Sequence, residues 1–228
     1  GVFPLQQQEA VIQLKFLIDY LKKEKSVSSV YLLGWSWGAV VAASYSTQFP
    51  NDVDKLVLAG AMHSFLLPQF TKSFMNKDNS FNLNLASYQI VPWAAIDSHW
   101  QMMEDNKKLV NENDKNAVKK IYENLDKGSF IKGSLRRAMG PMKDLFEIWN
   151  ERPVFDITKV TKDTLVIYGN QDMFADKKLF QKLINAKSKK EIVIKNATHW
   201  IFYEKNRFEF YNGIINFYIN AYANKILR

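Results

Sequence analysis

The chain of 228 residues has no cysteine, only three histidines and six prolines. Each shortage excludes something. Without cysteine there can be no disulfide, no thiolate metal ligand and no cysteine nucleophile. With three histidines, any imidazole base must be His63, His99 or His199. No stretch approaches the roughly 20 apolar residues that cross a bilayer, and no secretory signal opens the sequence, so no membrane span is expected. Absence of cysteine fits a reducing compartment, and the expectation is a cytoplasmic protein. Neither a phosphate-binding glycine loop, nor a dinucleotide glycine pattern, nor metal-ligand spacing occurs, so no cofactor and no metal is expected.

Acidic residues are also in short supply: 31 Lys and Arg against 23 Asp and Glu leave a net charge of +8. The excess falls in small scattered groups, among them Lys22, Lys23 and Lys25, Arg136 and Arg137, and Lys187, Lys189 and Lys190. Acids are interspersed and no nucleic-acid motif accompanies them, so the basic residues read as solvated surface and no nucleic-acid partner is expected.

What is present is enough to fold. At 47% hydrophobic and 14% aromatic residues, the chain is globular, with material for one core and an insertion. Apolar positions Val11, Leu14, Leu17, Ile18 and Leu21 mark one face of a helix over about 6–25. Val30–Leu33 reads as a buried strand, Ala39–Ala43 opens a helix, and residues 54–60 read as a second strand ending at a glycine. Helix, strand, helix, strand builds a parallel sheet through right-handed crossovers. The strand pattern resumes at 164–169 and 191–194, with helices predicted over about 177–184 and 207–223. The predicted architecture is α/β: a mostly parallel sheet flanked by helices, formed by 1–62 and 157–228. Residues 63–156, rich in Asn, Lys, Phe, Met and Trp and without a clear buried strand, are expected to form a helical lid, with helices over about 95–110 and 116–125.

Gly34-Trp35-Ser36-Trp37-Gly38 lies between the first strand and the helix that follows it. Glycines two positions either side of a serine, at a strand-to-helix turn, form a nucleophile elbow. The tight turn strains the serine backbone, and a side chain at Gly34 or Gly38 is expected to collide with the neighbouring strand or helix. Ser36 Oγ then stands clear of the sheet at a helix N-terminus, which favours developing negative charge.

Two further segments fall into place behind it. Gly169-Asn170-Gln171-Asp172 follows a strand, and Asn196-Ala197-Thr198-His199-Trp200 follows the last one, with Glu204 just before the final helix. In this order of serine, acid and histidine the chain resembles the α/β-hydrolases. The resemblance implies Ser36 as nucleophile, His199 as base, Asp172 as acid and the Trp37 backbone N–H as an oxyanion donor. A serine hydroxyl is a poor nucleophile until a base removes its proton, and a carboxylate fixes the base's tautomer. Asp176 is the rival acid, read instead as a helix N-cap. Trp35, Phe65, Trp149 and Trp200 are candidate substrate-binding residues, although lid aromatics more often simply pack the lid on the core.

The resemblance implies a hydrolase of a carboxylic ester, either a small molecule or one borne on an acyl carrier protein, that works through an acyl-enzyme. The Gly-Trp-Ser elbow is similar to that of esterases acting on pimeloyl-acyl carrier protein methyl ester. Ser-Trp is equally similar to proline iminopeptidases. A hydrolase-fold protein that binds without catalysis, acyl transfer to another alcohol, and C–C bond hydrolysis are the other readings. The family normally begins with several strands ahead of the first helix seen here, and one of their loops supplies the second oxyanion donor. An N-terminal segment or a second chain is therefore expected to complete the sheet, since an apolar edge strand left unpaired invites aggregation.

Overall fold

The computed structural model describes residues 2–125 and 133–226. The chain begins with helix α1 (Gln7–Lys25), strand β1 (Val30–Trp35), helix α2 (Trp37–Gln48) and strand β2 (Val53–Ala59). A long excursion follows, carrying β3 (Tyr88–Pro92), α3 (Trp93–Glu104), α4 (Glu112–Leu125), β4 (Ser134–Ala138) and α5 (Gly140–Ile148). The chain then returns as β5 (Asp163–Gly169), the short α6 (Leu179–Lys182), β6 (Lys189–Ile194) and α7 (Arg207–Ile226).

Strands pair in the order β1-β2-β5-β6, every pair parallel, with Leu33 opposite Val57 and Val57 opposite Leu165. The two inner strands are covered on both faces, which is why they read as unbroken apolar runs rather than alternating ones. Leu56 and Leu58 of β2 and Val166 of β5 face α1 and α2, packing with Val11, Ile18 and Ala42. Their neighbours Val57, Ala59, Leu165 and Ile167 face the opposite layer, against Phe210 and Ile214 of α7. All seven of these strand residues are at most 1% exposed, and each buried leucine or isoleucine stabilises the fold by about 1.5–3 kcal/mol. The small residues of α2 let that helix sit close against the sheet, and its buried hydroxyls are satisfied locally: Ser46 Oγ donates to the Ala43 carbonyl at 2.8 Å, and Tyr45 to Asp52 at 2.7 Å.

Besides the helices expected of a lid, the excursion carries two strands. Its β3 and β4 pair as a two-stranded antiparallel ribbon, with Gln89 opposite Arg137. Neither strand has the apolar run that marks a buried strand: Tyr88–Pro92 ends in proline, and Ser134–Ala138 carries two arginines. α3 stops at Glu104, short of the expected Val110, because Asp105 adopts a left-handed conformation (φ 49°) and the Glu104 carboxylate takes the backbone N–H groups of Leu109 and Val110. α4 starts four residues earlier than expected, and α6 keeps only one turn of the predicted 177–184 helix. Among the described residues, no helix is long and apolar enough to cross a membrane.

Candidate active site

Ser36 occupies the turn between β1 and α2 with φ 59° and ψ −129°, a region that costs an L-residue about 1–3 kcal/mol. The elbow is held from both sides: Ser36 N–H donates to the Ala59 carbonyl at 2.9 Å, and Ala39 N–H to the Ser36 carbonyl at 3.0 Å. Gly34 is required by close approach, since a Cβ there would lie 2.3 Å from the Gly38 carbonyl oxygen and 2.6 Å from Ala39 Cα. Gly38 departs from expectation: a Cβ at this position meets nothing within 4 Å, because it points into open space and away from the packed layers. The Trp37 N–H belongs to the first turn of α2, whose donors the helix itself leaves unpaired.

The acid and the histidine come together beyond the neighbouring strands. Asp172 Oδ2 lies 2.9 Å from His199 Nδ1, both side chains being at most 5% exposed. The other carboxylate oxygen of Asp172 accepts the backbone N–H groups of Phe174 (2.9 Å) and Ala175 (3.1 Å), so the carboxylate cannot swing away. With the carboxylate as acceptor, Nδ1 carries the ring proton and Nε2 is left as the basic nitrogen. Room for this pair comes from Gly60, at the end of β2 with φ 51°, where a Cβ would stand 2.9 Å from Asp172 Oδ2 and 3.1 Å from His199 Nδ1.

Ser36 and His199 line the same cavity, of about 480 Å³. Among the described residues no hydrogen bond joins Ser36 Oγ to the imidazole, so the structure unites the acid with the histidine, while of that pair His199 alone shares the cavity wall with the serine.

The loop that carries His199 is clamped. Trp35 Nε1–H donates to the His199 carbonyl at 3.0 Å, and the two rings lie 5.1 Å apart. Fully buried Glu204 accepts from Thr198 N–H at 2.8 Å, from the Thr198 hydroxyl, and from Trp100 Nε1–H of α3 at 2.9 Å. Burial raises the Glu204 pKa against the lowering effect of these donors.

Of the four candidate substrate-binding aromatics, Trp35, Trp149 and Trp200 line the cavity. Phe65 does not. Its N–H is bonded to the Ile148 carbonyl at 3.1 Å, and its ring packs on the apolar cluster around Phe146 and Trp149. Asp176 accepts from Lys178 N–H and pairs with Lys182 and the Ser64 N–H, away from the imidazole, and the N-cap position of α6 is Lys178. Of the remaining histidines, His63 faces the Phe155 carbonyl in a separate recess, where burial lowers its pKa. His99 of α3 does line the Ser36 cavity, its ring 5.1 Å from Phe70. Sequence reasoning passed over His99, Gln89 and Arg137 as cavity residues, and no local signal marks them.

One buried acid ties the excursion to the elbow. Asp144 of α5 accepts Trp37 Nε1–H at 2.9 Å and the Gln7 N–H at 2.7 Å. Burial pushes its pKa up to about 6, with both donors opposing the shift. A carboxyl with a raised pKa in the fold stabilises it fully below the unfolded value, near pH 4, and that contribution is lost as pH rises through about 6. Asp144→Asn keeps an acceptor for both donors and never ionises. It is expected to gain about 3 kcal/mol over the parent at pH 8 and little at pH 4. Calorimetric melting at the two pH values checks this, and a difference in Tm that does not change with pH would contradict it.

A family profile described as alpha/beta hydrolase fold matches residues 12–206. Similar solved structures include a meta-cleavage product hydrolase from Pseudomonas fluorescens IP01 (TM-score 0.63, 14% identity, covering 96% of this chain and 74% of that one). A thermophilic esterase is similar at TM-score 0.56 and 18% identity, over 95% of this chain and 74% of its own. A monoacylglycerol lipase from Paleococcus ferrophilus follows at TM-score 0.53 and 18% identity, covering 92% and 74%. At such identities the likeness is one of fold. No curated protein matched the chain.

Proposed function

Because the chain belongs to the α/β-hydrolase fold family, we propose that it is a serine hydrolase that cleaves a carboxylic ester through an acyl-enzyme. The observation that carries this reading is the Asp172–His199 pair at 2.9 Å, opening onto the same cavity as a serine held in a strained elbow. His199 Nε2 takes the proton of Ser36 Oγ as the hydroxyl adds to the substrate carbonyl, then returns it to the departing alkoxide. Asp172 holds the ring tautomer and stabilises the imidazolium, and the Trp37 N–H donates to the oxyanion. Water, activated by the same base, frees the acid. A serine–histidine bond that is long or open in the free enzyme commonly tightens when substrate arrives.

The segment between β2 and β5 serves in this reading as the lid, since β3 and α3 supply one wall of the cavity. We further propose that an additional N-terminal segment or a second chain pairs with β1 and brings the second oxyanion donor. In support, β1 is an edge strand among the described residues and Leu33 is 39% exposed. Weighing the natural protein's chains by mass spectrometry separates a longer polypeptide from a second chain.

Proline iminopeptidase activity is the weaker reading, because an N-terminal proline brings a cation and among the described residues no carboxylate lines the cavity. A panel of 4-nitrophenyl esters of varied acyl length, run beside proline-β-naphthylamide, tests the assignment. Ester turnover with a burst of nitrophenol is expected. Faster cleavage of the naphthylamide, or no ester turnover, would overturn it.

A further inference from the structure

Arg137 lines the Ser36 cavity, and among the described residues no aspartate or glutamate does. Its guanidinium is half-buried and held flat against its cross-strand neighbour: Nε donates at 3.1 Å and Nη2 at 2.7 Å, both to the single side-chain oxygen of Gln89. An amide oxygen satisfies hydrogen bonds but supplies no counter-charge. Among the described residues Arg137 has no ion-pair partner, whereas the adjacent Arg136 is exposed and rests over the Tyr88 ring. A positive charge withdrawn from water without a counter-ion is costly, and a fold that needed only the contact to Gln89 could use a neutral donor at lower cost. His99, on the same cavity, does not share the charge. Burial, and then repulsion from Arg137 itself, lower its pKa and keep the ring neutral. Near neutral pH the guanidinium is therefore the standing charge that this largely apolar chamber offers to a ligand.

We propose that Arg137 recognises a carboxylate of the substrate, so that the preferred substrate of the Ser36 site is an anionic carbonyl compound, such as the monoester of a dicarboxylic acid. The planar fork of a guanidinium matches a carboxylate, and the donors not engaged with Gln89 remain for it. Gln89 acts as a positioning residue that sets the plane of the fork. The inference rests on the serine-hydrolase reading for the reaction, but its recognition step stands on Arg137 alone.

The test compares 4-nitrophenyl esters of equal acyl length that end in either a carboxylate or a methyl group, over acyl chains of about four to eight carbons. For the full chain, kcat/KM is expected to favour the carboxylate by at least about tenfold at the best length, mostly through KM. Arg137→Met should erase at least about tenfold of that ratio, and Arg137→Lys should retain part of it. No preference at any length, or a ratio unchanged in Arg137→Met, would overturn the proposal; if Arg137→Met does not fold, the parent's own ratio decides. Calorimetric binding of free dicarboxylates of the same lengths to Ser36→Ala, against their monoamides, separates this inference from the catalytic one. Dicarboxylate binding without ester turnover by the parent removes the hydrolase reading and keeps the recognition site. Ester turnover with no selectivity for the anion does the reverse.

Discussion

Asp172→Asn is expected to lower kcat/KM on an activated ester by about 10⁴-fold while leaving the fold intact. The amide is almost the same size as the carboxylate, and its oxygen can still accept the N–H groups of Phe174 and Ala175 that orient the native side chain. What changes is the other arm. An NH₂ donor would replace the acceptor that stands 2.9 Å from His199 Nδ1, so the proton moves to Nε2 and the nitrogen facing the cavity can no longer act as a base. Matched near-UV circular dichroism beside the kinetics separates this from misfolding. A loss below about tenfold would mean that the pair is structural.

Gly60→Ala should also cost at least about 10²-fold in kcat/KM, although residue 60 touches no substrate. An added Cβ would approach Asp172 Oδ2 to 2.9 Å and the imidazole to 3.1–3.2 Å, and φ 51° is a backbone conformation that L-residues rarely adopt. Strain of about 1–2 kcal/mol is expected in the fold. The larger effect falls on geometry, since Gly60, directly after β2, is the floor under the acid and the histidine, and the pair must shift to admit a methyl group. Denaturant unfolding together with kinetics resolves the two effects. A variant with parental activity would show that the floor has slack.

Which parts of this arrangement were legible in the sequence follows from how local the causes are. β2 and β5 announce themselves because their burial on both faces requires unbroken apolar runs, and the elbow because Gly34 must clear the backbone of Gly38 and Ala39. The turns carrying Asp172 and His199 stand directly after strands, so their order along the chain was readable. The rest depends on contacts between distant residues. Gln89 and Arg137 pair across 48 positions, Trp100 and Glu204 across 104, and Gln7 and Asp144 across 137, and periodicity carries none of these. The β3–β4 ribbon is illegible for the same reason: its strands are five residues each, one ending in proline and the other carrying two arginines. Phe65 turns away from the cavity, and composition marks an aromatic as buried without saying which way it points. Gly60 reads from the sequence as the end of a strand, but its service to Asp172 and His199 depends on residues more than 100 positions away.

The most direct measurement is the intact mass of the protein after treatment with a fluorophosphonate, which phosphonylates only a serine activated by its base. One adduct is predicted on the parent chain, mapping by peptide digestion to Ser36 and absent from Ser36→Ala. A protein that takes up no adduct, or an adduct that persists in Ser36→Ala, would contradict the assignment of Ser36 as the nucleophile.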